Sequence, residues 1–154
     1  MVARYYEDYH VGQLIKADGV TLHEAEIIDF AFKYDPQPFH LNKEAADRSI
    51  YGGLIASGWQ VGAIAFRMLM QAGVLGDGSM GSPGLDELRW FKPVRPGDTL
   101  YGEAEILEMR LSASKPDRGV IVIHYRVRNQ AGELVMGYRG TQIVLRRPAE
   151  LANA

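Results

Sequence analysis

The stretch SGWQVGAIAFRMLMQAG, Ser57 to Gly73, decides how the rest of the chain reads. Val61, Ile64, Ala65, Met68, Leu69 and Ala72 form one apolar stripe at helical spacing, and Trp59, Ala63, Phe66 and Met70 form a second. Only Gln60, Arg67 and Gln71 make a narrow polar strip. A helix apolar nearly all round belongs inside a fold, and this one falls short of the ~20 residues a membrane span needs. Ser57 stands at the N-cap position and Gly73 where a C-terminal cap is expected.

Downstream the period changes from helical to alternating. LDELRWFKPV, 85–94, reads as a strand, and the turn over Val94 to Asp98 has Pro96 and Gly97 in suitable order. DTLYGEAEILEMRL, 98–111, is a second strand, and SASKPDRG, 112–119, a loop. In VIVIHYRVRN, 120–129, Ile121, Ile123, Tyr125 and Val127 share one face, while His124, Arg126 and Arg128 share the other. QAGE turns the chain into LVMGYRGTQIVLRR, 134–147. Three long strands with short connections predict an antiparallel meander. A sheet curled round one buried helix accommodates both halves, an α+β plan. A small sheet with an open edge and a partly covered face predicts dimerisation. The final stretch, 148–154, is expected to fray.

Upstream, a short strand precedes Thr21-Leu22-His23-Glu24, which has the form of a capping box. Ile27, Ile28 and Ala31 follow at helical spacing, and Tyr34 and Asp35 must end that helix. Pro36 and Pro38 disfavour the helical region for Asp35 and Gln37, so residues 35–40 are expected to be extended and stiff. Asn42 is placed to cap a short helix over KEAADRS.

Composition narrows the function. The length of 154 residues suits one domain, and 47% hydrophobic residues suffice for a core. A net charge of −2 argues against a general nucleic-acid binder. With no cysteine there is no thiol nucleophile, disulfide or zinc–thiolate site. The first residues are too polar for a signal peptide, so a cytoplasmic protein with no membrane partner is expected.

Several signals have plain explanations. GDGSMG, 76–81, fits a dinucleotide fingerprint by letter, but it follows a helix and runs into Ser82-Pro83-Gly84, which marks a loop. Glu103 and Glu105 fit a solvated strand face better than a catalytic carboxylate pair. His10, His23 and His124 lack metal-ligand spacing. Arg126 and Arg128, with Arg146 and Arg147, fit a solvated face as well as a phosphate-binding rim.

Two segments are more informative. In YDPQPFH, 34–40, Asp35 and His40 flank two prolines and can form an acid/base pair on a stiffened backbone. In GGLIASGW, 52–59, Gly52 and Gly53 permit close backbone approach. Ser57 or Ala56 there stands where the buried helix should start, and the free N–H of Gly58 can hold an oxygen that gains negative charge.

These segments resemble the MaoC-like dehydratases, or (R)-specific enoyl-CoA hydratases, of the hotdog fold. YDPQPFHLNKEAA is similar to that family's Asp-x-Asn-Pro-apolar-His pattern, GGLIASGW to its lead-in to the central helix, and FKPVRPGDTL to the turn and strand that follow. The likeness runs from about Gly12 to Arg147, so residues 1–154 are expected to be a single MaoC-like hotdog domain with its core at about 12–147. The resemblance implies Asp35 and His40 as the catalytic pair and Gly58 as the donor to a thioester carbonyl, with Ser57, Gln37 and Gly53 also in the substrate site. It implies reversible syn addition of water to a trans-2-enoyl thioester of CoA or acyl carrier protein, giving an (R)-3-hydroxyacyl thioester. It further implies a homodimer and neither metal nor cofactor. Gln37 departs from the usual asparagine, and Ser57 from the histidine that often precedes the glycine. A hotdog thioesterase and a non-catalytic acyl-CoA-binding dimer are the competing expectations.

Overall fold

A computed structural model of the chain describes residues 3–148. After a 3-10 turn at Tyr6–Asp8 come strands β1 (Leu14–Lys16) and β2 (Val20–Thr21). Four helices follow: α1 (Glu24–Tyr34), α2 (Pro38–Leu41), α3 (Lys43–Asp47) and α4 (Gly58–Gln71). Strands β3 (Gly84–Trp90), β4 (Thr99–Leu111), β5 (Arg118–Arg128) and β6 (Leu134–Leu145) complete the chain. The sheet order is β1-β4-β5-β6-β3, with β2 also paired to β4, and the pairs are antiparallel.

The meander β4-β5-β6 arises from alternation. Along β5, Gly119, Ile121, Ile123, Tyr125 and Val127 are buried, and the residues between them are half-buried. Tyr125 pairs with Tyr138 of β6, and their rings stack with centroids 4.6 Å apart. Strand β3 does not join its sequence neighbour β4: it pairs with β6, at the opposite edge from β1.

Helix α4 packs against the sheet, with Leu69 close to Gly102 of β4 and Gly62 close to Met136 of β6. Val61, Ala65, Met68 and Leu69 are buried there, and each large apolar side chain so placed contributes roughly 1.5–3 kcal/mol. The fit against β4 is tight: a Cβ on Gly102 would lie 3.2 Å from Leu69 Cγ. Ser57 caps the helix by accepting from Trp59 N–H at 3.2 Å, and Gly73, just past the end, takes the left-handed φ of 74° that favours glycine. Both ends match the sequence reading.

Its flanks do not. Trp59 is 63% exposed and Phe66 45%, so the second apolar stripe is largely uncovered in this chain, with Met70 alone packed against the core. Gln60, expected in the polar strip, is buried. Its Nε2 donates to the Glu26 carbonyl at 3.0 Å, and its Oε1 has no partner among the described residues. The stripe facing α1 thus carries an amide because α1 presents a carbonyl to it.

Other local expectations shift. Helix α1 begins at Glu24 with His23 as its cap residue, and Glu26 accepts from His23 N–H at 3.0 Å. Thr21 instead lies in β2 opposite Thr99, hydroxyl to hydroxyl at 2.7 Å, because pairing with β4 claims its backbone. Residues 35–40 are not extended throughout. Pro38 opens α2 as its first residue, where a missing N–H is harmless, and His40 sits on that helical turn. Asn42 does cap α3, accepting from Ala45 N–H at 3.0 Å. No helix among the described residues is long and apolar enough to cross a membrane. Of the stretch expected to fray, residues 149–154 lie outside the described residues, as do residues 1–2.

Candidate active site

Asp35 ends α1 as its C-cap residue, and His40 follows on α2. The short α2 turns the imidazole inward: His40 is 4% exposed. Its Nδ1 lies 2.7 Å from the Ile55 carbonyl. A carbonyl only accepts, so Nδ1 carries a proton and Nε2 is the nitrogen presented to the site. Nε2 lies 3.3 Å from Asp35 Oδ2.

The segment bearing Ile55 is fixed on both sides. Ile55 N–H donates to the Phe39 carbonyl at 3.3 Å, and Ala56 N–H to the Val94 carbonyl at 2.8 Å. This brings Ser57 behind Asp35, where it is fully buried and donates to Oδ2 at 2.6 Å. From the other side Gln37 Nε2 donates to Asp35 Oδ1 at 2.8 Å.

Burial opposes ionisation of Asp35. The hydrogen bonds from Ser57 and Gln37, together with neighbouring His40, outweigh it and hold the carboxyl below the usual carboxylate range. Both oxygens therefore act as acceptors.

Asp35, Gln37, His40 and Gly58 line one cavity of about 450 Å³, walled by Trp59 and Trp90 among others. Gly58 is the first residue of α4, so its N–H has no acceptor within the helix. The cavity is thus lined by residues carrying a carboxylate, an imidazole and a free helix-terminal N–H, a set able to bind water beside a polarised carbonyl. Two residues expected in the site stand apart from its wall. Ser57 reaches the cavity only through Asp35. Gly53 lies on the loop before it, where a Cβ would be 3.1 Å from Arg95 Nη1.

The remaining signals resolve as structure. The loop at 76–81 bridges β6 through Ser79 and Val144. Arg126 donates to Glu103 at 2.6 Å and to Glu105 at 2.9 Å, and Arg146 and Arg147 pair with Glu7 and Asp8. No cluster of metal-ligating side chains occurs among the described residues.

Residues 8–125 match the family model described as a MaoC like domain. The chain belongs to the MaoC-like dehydratase family. The crystal structure of the MaoC-like dehydratase from Rhodospirillum rubrum shares 40% identity and superposes with a TM-score of 0.89, covering 95% of this chain and 99% of that one. The R-hydratase PhaJ1 from Pseudomonas aeruginosa shares 26% identity at a TM-score of 0.70, over 93% of this chain and 86% of that one. YdeM of Bacillus subtilis strain 168 is 28% identical over 124 residues, 80% of this chain and 86% of its own length. The MaoC-like chain therefore has the hotdog fold, as expected from its sequence.

Sequence reasoning missed Trp90. Its indole Nε1 donates to the Gly58 carbonyl at 2.9 Å, and its ring stands edge-on to Trp59 with centroids 5.4 Å apart. The sequence carries little sign of this, because an extra residue in β3 reverses the alternation ahead of Trp90.

Proposed function

We propose that this MaoC-like chain is an acyl-thioester hydratase/dehydratase. It would add water reversibly and syn to a trans-2-enoyl thioester of CoA or acyl carrier protein, giving an (R)-3-hydroxyacyl thioester. The observation that carries the reading is the 3.3 Å approach of Asp35 Oδ2 to His40 Nε2 in a cavity also lined by Gly58.

In this reading one water sits against Asp35 and His40. Asp35 takes a proton from it as the oxygen attacks carbon 3. The electrons of the carbon 2–carbon 3 bond move onto the thioester oxygen, which Gly58 N–H stabilises as an enolate. With Nε2 protonated, His40 delivers its proton to carbon 2, and the carbonyl re-forms. Asp35 then returns its proton to His40. An acid/base step of this kind contributes about 10²–10⁴ in rate, and one oxyanion donor about 3–4 kcal/mol. Ser57 and Gln37 hold the carboxylate in place, so it needs little ordering when substrate arrives.

The MaoC-like chain acts, in this proposal, as one hotdog domain with a core at about 12–147, and as a homodimer. The open edge of β3 and exposed Trp59, Phe66 and Leu85 support assembly. The absence of cysteine is compatible with the reducing cytoplasm in which we place it. The test is incubation with crotonyl-CoA and longer enoyl-CoAs. Loss of the conjugated-thioester absorbance with formation of the (R)-3-hydroxyacyl product is expected. Release of free thiol without hydration would replace the reading with a thioesterase.

A further inference from the structure

Gly58 poses a problem that the proposed reaction alone does not answer. Glycine is a poor helix former, its φ here is not in the left-handed range, and its N–H would be present with any residue but proline. The reason for glycine is spatial. A Cβ at position 58 would lie 2.5 Å from Cε2 and 2.6 Å from Nε1 of Trp90. The indole covers the Gly58 Cα directly, while its Nε1–H donates to the Gly58 carbonyl at 2.9 Å.

The ring reaches that position because of an irregularity in β3. Asp86 pairs with Arg139, but Arg89 pairs with Gly137 and Trp90 with Met136, so β3 carries one extra residue. Glu87 at this bulge takes a φ of 55°, rare for a residue with a side chain. Asp86 is exposed, and simple alternation would put Trp90 on the same outer face. The extra residue turns it to the face of its partner Met136, onto the start of α4, where the indole remains 43% exposed. Trp59 then closes on it edge-to-face at 78°.

We infer that Trp90 is a positioning residue for the proposed reaction: its indole clamps the first turn of α4 so that Gly58 N–H stays aimed into the cavity lined by Asp35 and His40. Packing on the Cα and a hydrogen bond to the carbonyl restrain the residue from two directions. The N–H is then ordered before any oxyanion forms, the condition under which such a donor is most effective. The inference rests on the hydratase reading for its consequence in catalysis, but not for the clamp.

The test compares wild type with Trp90→Phe and with a chain in which the Trp90 indole is replaced by benzothiophene, a ring of nearly the same shape that cannot donate. Two readouts are taken: the Gly58 amide resonance with its hydrogen-exchange rate, and kcat and KM for crotonyl-CoA. In both variants Gly58 amide exchange is expected to quicken. A fall in kcat of about tenfold is expected, with KM changed by less than about threefold, the pattern of a lost interaction specific to the transition state. General loosening of the fold would instead lower the melting temperature and leave the kcat of the folded fraction unchanged. If Trp90→Phe does not fold, the benzothiophene chain decides. An unchanged Gly58 amide, or an unchanged kcat in an active enzyme, overturns the inference. A wild type with no turnover sinks the hydratase reading, and the amide measurement alone then decides the clamp.

Discussion

Ser57 Oγ donates to Asp35 Oδ2 at 2.6 Å while accepting from Trp59 N–H at 3.2 Å. One hydroxyl therefore joins the cap of the buried helix to the carboxylate proposed as the base. Helix start and acid/base pair cannot shift independently, because the same oxygen serves both.

The first prediction concerns acidity. Asp35 is held below the usual carboxylate range although burial opposes it, with the Ser57 hydrogen bond foremost among the contacts that lower it. A depressed carboxyl is active as a base at high pH and loses that role as pH falls through its folded value. The acid limb of kcat/KM should lie below the ordinary carboxylate pKa. Ser57→Ala should move that limb upward, which a pH–rate profile will show. The same substitution removes the α4 cap and should cost about 1 kcal/mol of stability.

Asp35→Asn should lower kcat by about 10²–10⁴. The amide keeps the size and its oxygen can still accept from Ser57, but its NH2 faces Gln37 Nε2 in place of an acceptor, so exposed Gln37 must turn its own amide and only a small fall in melting temperature is expected. Crotonyl-CoA hydration at wild-type rate would remove Asp35 from the mechanism.

Gly58→Ala should impair the protein through contact with Trp90, since the added methyl would lie within 2.5 Å of the indole. Overpacking of this kind costs about 1–3 kcal/mol. A lowered urea midpoint together with reduced kcat is expected.

Leu69→Ala should destabilise by about 2–5 kcal/mol. The side chain is fully buried and packs close to Gly102 of β4. Equilibrium urea unfolding measures it. A loss under about 1 kcal/mol would mean that α4 is not seated on the sheet as described.

Phe66→Lys with Leu85→Lys should shift the proposed dimer toward monomer. Both side chains are about half exposed in the single chain, and charge at a paired apolar surface opposes association. Sedimentation velocity of wild type and double variant checks it.

The fold was legible where one period ran unbroken. Val61, Ala65, Met68 and Leu69 announced a buried helix, and Ile121, Ile123, Tyr125 and Val127 a strand with one inner face. Asp35 and His40 stood out because two prolines lie between them. Pairings made across the chain were harder to see. Thr21 has the letters of a cap, but its partner Thr99 lies far along the sequence. Gln60 has the letters of a surface residue, and only the Glu26 carbonyl explains its burial. Trp90 was hidden more thoroughly, because the bulge that turns it toward α4 is a matter of register with β6.

The path of β3 also bears on synthesis. Gly84 pairs with Thr141 and Leu85 with Gly140, so β3 leaves the ribosome long before its hydrogen-bonding neighbour exists. Helix α4 emerges earlier still, with Trp59 and Phe66 uncovered. Until β6 is translated, the nascent chain presents a bare strand edge beside an oily helix, the kind of surface that chaperones engage. The register that sets Trp90 over Gly58 is defined by pairing with Gly137 and Met136, so that placement waits for β6 to be made.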